Sequence, residues 1–88
     1  MLKREITIVN RQGMHARPAM QIVETSNRFA SRIKIHKGNT CVDAKSIMEV
    51  LTLEAVQGTL LVFEADGDDA AEALEALAKL VADKFYED

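Results

Sequence analysis

The chain has 88 residues, of which 48% are hydrophobic and 28% charged, and its net charge is −3. These values are typical of one globular domain, here residues 1–88, and no apolar run approaches the roughly 20 residues that a membrane span requires. We therefore expect no membrane insertion. A single cysteine, Cys41, excludes an internal disulfide, and the missing secretory pattern favours a cytoplasmic protein.

The first element is predicted to be a strand. Residues 2–9 alternate between apolar and polar side chains, with three apolar residues on one face: Leu2, Ile6 and Ile8. The residues that follow, 10–13, are typical of a turn.

A helix is predicted after this turn. Proline fits the first turn of a helix, where its missing N–H is not needed, so Pro18 places the helix start at Ala16 or Arg17. The apolar spacing predicts one buried stripe and an end near Asn27. Met20 lies outside that stripe.

Two strands joined by a tight turn are predicted next. Residues 32–37 alternate, with Ile33 and Ile35 on the buried side. The Gly-Asn pair at 38–39 is typical of a two-residue hairpin and leads into a short strand at 40–43.

A short helix is predicted to begin after Ser46 and to run to about Leu53. Ser46 followed by Glu49 fits a capping box, in which the hydroxyl and the carboxylate each accept from a backbone N–H. So short a helix cannot bury all of its apolar side chains, so we expect Met48 or a neighbour to face solvent. These apolar residues are Ile47, Met48, Val50 and Leu51.

The last two elements are predicted to be a strand inside the sheet and an amphipathic helix. Residues 60–65 are almost continuously apolar. The helix begins near Asp69 and has one apolar face, formed by Leu74, Leu77, Ala78, Val81 and Phe85. The resulting order is β-α-β-β-α-β-α, which favours an α+β fold with helices on a single face of an antiparallel sheet.

The segment 13–19, Gly-Met-His-Ala-Arg-Pro-Ala, is a candidate phosphate site. His15 lies at the helix entrance, where unpaired backbone N–H groups, the positive end of the helix dipole and the Arg17 guanidinium can share an anion. The same positive groups disfavour a protonated ring. Ala16 and Pro18 support the helix start.

This segment, together with Lys-Ser-Ile-Met at 45–48 and Gln-Gly-Thr at 57–59, resembles the histidine-containing phosphocarrier proteins, the HPr family of the bacterial phosphoenolpyruvate-dependent phosphotransferase system. The resemblance spans essentially the whole chain. It implies an open-faced β-sandwich, with a four-stranded antiparallel sheet of order 1-4-2-3 and three helices on one face.

The resemblance also implies a function. Members accept a phosphoryl group from enzyme I on the histidine that matches His15, through Nδ1, and pass it to enzyme IIA-type domains. Arg17 would stabilise the transferring phosphate. Such a protein is a carrier rather than a free-standing enzyme, and we expect a monomer that needs no cofactor.

Two further roles are predicted around the site. In Gram-positive relatives the serine that matches Ser46 is phosphorylated by an HPr kinase/phosphorylase, although helix capping alone also accounts for this residue. A hydrophobic docking patch is predicted from the residues that the two first helices cannot bury: Met20, Ile47, Met48 and Leu51.

Several alternatives remain open on the sequence alone. Lys-Ser-Ile-Met resembles the sugar-transport branch of the family, whereas Met14 and the acidic ending 85–88 resemble the nitrogen branch or a regulatory paralogue. A docking protein without efficient transfer is the second candidate function. Nucleic-acid binding is disfavoured by the few aromatic residues and the lack of a basic stripe, and His36 has no second metal ligand at a useful spacing.

Overall fold

The computed structural model describes residues 1–87. Four strands and three α-helices follow one another along this part of the chain in the predicted order β-α-β-β-α-β-α. Asp88, the last residue of the acidic ending, lies outside the described residues. The elements are β1 Leu2–Thr7, α1 Ala16–Ser26, β2 Arg32–Lys37, β3 Thr40–Asp43, α2 Ile47–Leu51, β4 Leu60–Asp66 and α3 Ala70–Ala82.

The four strands form one antiparallel sheet in the order β1-β4-β2-β3, which confirms the expected topology. β4 lies between β1 and β2 and pairs with both, as expected for its apolar sequence. β2 and β3 are joined by the predicted two-residue turn, because Lys37 is paired with Thr40.

The helices cover one face of the sheet, and the core lies between the two layers. Alternate strand residues point toward the helices, and each buried aliphatic or aromatic side chain contributes about 1.5–3 kcal/mol to stability. The opposite face is open, with Arg32 and Lys34 exposed. The most deeply buried side chains include Ile33, Ile35, Leu61 and Phe63 of the sheet and Ile22, Leu77 and Val81 of the helices.

Two element ends differ from prediction. β1 ends at Thr7, and Ile8 instead bonds the loop before β4, donating to the carbonyl of Thr59 and accepting from the N–H of Gly58. Leu2, at the first position of this edge strand, is exposed rather than buried. α2 ends at Leu51 because the hydroxyl and N–H of Thr52 both donate to the carbonyl of Glu49, which closes the last turn.

Only half of the predicted capping box forms. Ser46 Oγ accepts from the N–H of Glu49 at 3.4 Å, as expected. The Glu49 carboxylate does not return to Ser46, whose N–H already donates to the carbonyl of Asp43. It accepts instead from the N–H of Asp43 at 3.0 Å, so it ties α2 to the end of β3.

The prediction that Phe85 continues the apolar face of α3 is wrong. α3 ends at Ala82, and the chain then makes one turn in the left-handed region, with φ of 56° at Lys84, 55° at Phe85 and 61° at Tyr86. Hydrogen bonds of 3.0 Å from Tyr86 N to Asp83 O and from Glu87 N to Lys84 O close this turn. Phe85 is fully buried, because the left-handed turn rather than a continued helix directs it into the core.

Candidate functional site

The loop before α1 is fixed against the segment that follows α2. Met14 donates its N–H to the carbonyl of Ala55 at 2.7 Å and buries its side chain. Gly13 has a φ of 68°, and a Cβ built on it would lie 2.5 Å from that same carbonyl oxygen. Only glycine combines this backbone conformation with so close an approach.

His15 occupies the N-cap of α1, which begins at Ala16 as predicted. Its side chain makes no capping hydrogen bond. The N–H groups of Ala16 and Arg17 donate to no residue within 1–87, and Pro18 has no N–H to donate. The helix start therefore presents two unpaired donors beside an imidazole whose side chain is 35% exposed.

The main polar contact of the imidazole is with a residue that the sequence analysis did not place at the site. His15 Nε2 lies 3.2 Å from both carboxylate oxygens of Glu87. Glu87 also accepts a hydrogen bond of 2.8 Å from Asn10 Nδ2. The other ring nitrogen of His15, Nδ1, makes no hydrogen bond with the described residues.

This contact keeps Glu87 ionised. Its pKa is lowered, first by the hydrogen bond from Asn10 and then by that from His15, with a smaller contribution from the charge of Arg17. The carboxylate faces Nε2 within hydrogen-bond distance, so it can accept a hydrogen bond from that nitrogen. The site therefore contains the negative charge of Glu87 as well as the positive charge of Arg17.

Arg17 is at the predicted place in the chain but makes no hydrogen bond with His15. Its side chain is exposed and makes no hydrogen bond or ion pair with residues 1–87. Of the groups predicted to share an anion, the unpaired N–H groups and the positive end of the helix therefore adjoin His15, whereas the Arg17 guanidinium is exposed without a hydrogen bond to the ring.

The four residues of the predicted docking patch lie on α1 and α2, which pack against each other. Met20 and Ile47 line one apolar groove of about 330 Å³ with Val23 and Glu24. Met48 is 74% exposed, as the overfilled short helix predicts, and Met20, which lies outside the buried stripe of α1, is 53% exposed. Leu51 is at the exposed margin, whereas Ile47 is partly buried against the core.

Ser46 is half-buried at the start of α2, and its hydroxyl forms the long capping bond already described. Glu49 lies in the first turn of the same helix and contacts Asp43. The Asp43 carboxylate accepts from the N–H of Lys45, the residue before Ser46, so two acidic residues hydrogen-bond within the segment around the predicted phosphorylation site.

The second histidine lies on the open face of the sheet and does not belong to this site. His36 Nε2 is 3.0 Å from Glu64 Oε1, so His36 is paired rather than simply solvated. Cys41 is an exposed free thiol on the adjacent strand. Within residues 1–87 no three His, Cys, Asp or Glu side chains are grouped to hold a metal ion, and no helix has the length and apolarity of a membrane span.

Comparison with known proteins decides the family. The family model for the phosphotransferase-system (PTS) HPr component phosphorylation site matches residues 2–83. The chain belongs to the HPr family. The function predicted from the resemblance is thereby confirmed at the level of the family: this is a phosphocarrier protein of the PTS and not a free-standing enzyme.

Relatives match over almost the whole chain. A phosphocarrier protein HPr of Cupriavidus necator is 41% identical over 87 residues, which is 99% of this chain and 98% of that protein. The crystal structure of HPr-C-His from Thermoanaerobacter tengcongensis has a TM-score of 0.96 at 43% identity and covers 100% of this chain and 99% of that one. The fold class is therefore that of HPr, as expected.

A regulatory protein is also similar. The crystal structure of Crh, the Bacillus subtilis catabolite repression containing protein, is a swapped dimer with a TM-score of 0.76 at 37% identity. The match covers 96% of this chain and 97% of the Crh chain.

Sequence reasoning missed Glu87 and Asn10. The acidic ending was visible but indicated only a branch of the family, and Asn10 was assigned to a turn. No local pattern could have joined Glu87 to His15, since 72 residues separate them in the chain.

Proposed function

We propose that His15 is the phosphoryl acceptor of this chain, that enzyme I supplies the phosphoryl group and that an enzyme IIA-type domain receives it. The observation that carries this proposal is the open helix start, where a partly exposed imidazole adjoins two unpaired backbone N–H groups. Such a terminus favours an anion through both its donors and its dipole.

Arg17 is proposed to stabilise the transferring phosphoryl oxygens. An arginine can donate two parallel hydrogen bonds to a phosphate. Because the Arg17 side chain makes no hydrogen bond or ion pair within residues 1–87, it can turn toward a phosphoryl group without breaking one. The unpaired N–H groups of Ala16 and Arg17 supply the remaining donors.

The test is phosphorylation with purified enzyme I and phosphoenolpyruvate. The wild-type chain should gain one acid-labile phosphoryl group, and the His15→Ala variant should gain none. His36→Ala is the matched control, because His36 is the other histidine of the chain and it lies on the open face. Labelling of the His15→Ala variant would disprove the assignment.

The docking patch of Met20, Ile47, Met48 and Leu51 is proposed to receive both protein partners. Exposed methionines adapt to different partner surfaces at a low cost in free energy. The patch begins on the same helix as His15, so a partner that binds it also covers the phosphoryl site. We further propose that the chain works as a cytoplasmic monomer, which sedimentation equilibrium would test.

Phosphorylation of Ser46 by an HPr kinase/phosphorylase is proposed as a regulatory step. A phosphate at the start of α2 would add negative charge beside the docking patch and weaken an acidic partner's binding. Glu49 and Asp43 oppose this charge, so modification should be slow. Incubation with the kinase and ATP should give an acid-stable phosphate that Ser46→Ala abolishes.

The second candidate function is regulatory docking without efficient phosphoryl transfer. The similarity to Crh favours it, and the acidic ending agrees with a nitrogen-branch or regulatory paralogue. The open helix start beside His15 favours transfer instead. Binding of enzyme I without labelling of His15 would support the regulatory alternative.

A further inference from the structure

The C-terminal segment places the carboxylate of Glu87 against His15. Beyond α3, three consecutive residues other than glycine have positive φ values, a conformation that costs roughly 1–2 kcal/mol for each residue. Such strain persists where the surrounding structure holds it. Here Phe85 is the anchor, since it is fully buried and lies two residues before Glu87.

Asn10 holds the carboxylate independently of the histidine. The Asn10 side chain is completely buried, and its Nδ2 donates at 2.8 Å to Glu87 Oε1 and at 2.8 Å to the carbonyl of Gly13. That carbonyl also accepts the N–H of His15 at 3.1 Å. One amide therefore ties the backbone of the His15 loop and the Glu87 carboxylate to each other.

We propose that Glu87, held by Asn10, is a positioning residue for phosphoryl transfer: it accepts the Nε2–H of His15 and leaves Nδ1 as the nitrogen that takes the phosphoryl group. This inference rests on the proposed function of His15. A neutral imidazole can carry its proton on either nitrogen, and the hydrogen bond made by one nitrogen fixes which. Nδ1 is the nitrogen without a partner among the described residues.

The carboxylate does not take the place of the phosphoryl group. The contacts of Glu87 are with Asn10 and His15, whereas the unpaired N–H groups of Ala16 and Arg17 stay open to an anion. The side chain is only 16% exposed, so water competes little for its oxygens. Glu87 therefore lies on one edge of the ring and leaves the other edge for the incoming phosphorus.

The step balances with the proton held at Nε2. The Nδ1 lone pair forms the new N–P bond as the bond between phosphorus and the leaving atom of enzyme I breaks, and that atom departs with the electron pair. The ring keeps its Nε2 proton and becomes positive, and the Glu87 carboxylate stabilises this charge. In the onward transfer the same contact keeps the ring a good leaving group, because it departs as a neutral imidazole.

The test combines ¹⁵N NMR of the histidine rings with transfer kinetics from enzyme I. Wild-type His15 should show its neutral ring protonated at Nε2, and its phosphorylated form should carry phosphorus on Nδ1. In Glu87→Ala the two neutral tautomers should mix, and transfer should slow by about tenfold to a hundredfold, as expected for loss of one charge-assisted hydrogen bond. Glu87→Asp should restore part of both signals.

Glu64→Ala is the matched control, because Glu64 and His36 form the other His–Glu pair of this chain. It should change the His36 resonances and leave the tautomer and rate of His15 unchanged. Circular dichroism should show that Glu87→Ala stays folded.

The outcomes separate this inference from the function on which it rests. A wild-type chain that takes no phosphoryl group from enzyme I disproves both. Normal labelling of His15, with tautomer and rate unchanged in Glu87→Ala, overturns the role of Glu87 alone. Faster transfer in Glu87→Ala would also overturn it, since the carboxylate would then be an inhibitor, as would phosphorus found on Nε2.

Discussion

Asp69 accepts hydrogen bonds from both the backbone N–H and the hydroxyl of Ser31. A third hydrogen bond, of 2.8 Å, comes from the N–H of Ala30. Asp69 stands at the N-cap of α3, yet its side chain does not cap that helix. It ties the loop between α1 and β2 to the start of α3, so residues 38 positions apart are held together.

Removal of the Asp69 charge should destabilise the protein. In Asp69→Asn one acceptor oxygen becomes a donor that faces the donors of Ala30 and Ser31, so at least one of their hydrogen bonds is lost. The urea midpoint should fall, with the slope of the transition unchanged. Asp68→Asn, on the adjacent exposed residue, is the control and should leave the midpoint where it is.

Stability should fall as the solution is acidified. Hydrogen bonds to Ser31 and Ala30 lower the pKa of Asp69, and those from Asn10 and His15 lower the pKa of Glu87. A group with a lowered folded pKa stabilises the protein above its unfolded pKa, and this stabilisation disappears as the pH falls through the folded value. The urea midpoint should therefore drop as the pH falls from about 5 through the lowered pKa values of these two carboxyl groups. In Asp69→Asn the drop should be smaller, and an unchanged pH dependence would contradict this assignment.

Gly13→Ala should be strongly destabilising. The substitution places a Cβ 2.5 Å from the carbonyl oxygen of Ala55 and forces alanine into a positive φ. Together these effects should lower the free energy of unfolding by about 2–4 kcal/mol, measured by urea denaturation. Gly38→Ala tests the conformational part alone, because nothing lies within 4 Å of its Cβ position.

Lys84→Gly should have the opposite effect. Lys84 directly follows the C-cap of α3 with a φ of 56°, a position at which helices commonly have glycine. Relief of this strain should raise the free energy of unfolding by about 1 kcal/mol. Lys84→Ala keeps the strain, so it should show no such gain, and equal stabilisation by both substitutions would mean that the lysine side chain is responsible.

Met48→Asp should weaken the binding of enzyme I and of an enzyme IIA-type domain by roughly tenfold if the docking patch is used, which isothermal titration calorimetry would measure. Leu60→Asp is the control, since Leu60 is also exposed but lies on β4 of the sheet. Equal losses in the two variants would indicate a general charge effect rather than docking through the patch.

Local sequence patterns were sufficient for most of the secondary structure. Pro18 placed the start of α1, the Gly-Asn pair placed the hairpin, and the excess of apolar residues in α2 indicated that Met48 is exposed. Each of these features depends on residues within a few positions of one another. The capping-box prediction failed because a group of a neighbouring element competes: the Glu49 carboxylate accepts from the N–H of Asp43, at the end of β3, rather than from that of Ser46.

The sequence by itself determined the order of the elements, the position of His15 at a helix start and, through its motifs, the resemblance to the HPr family. Only the tertiary structure decided that Glu87 lies against Nε2 of His15 and that Asn10 donates hydrogen bonds to both the Glu87 carboxylate and the carbonyl of Gly13. The physical reason is that helix starts and hairpins follow from local backbone preferences. A hydrogen bond across 72 residues instead requires the sheet order, the end of α3 and the burial of Phe85 to be fixed first.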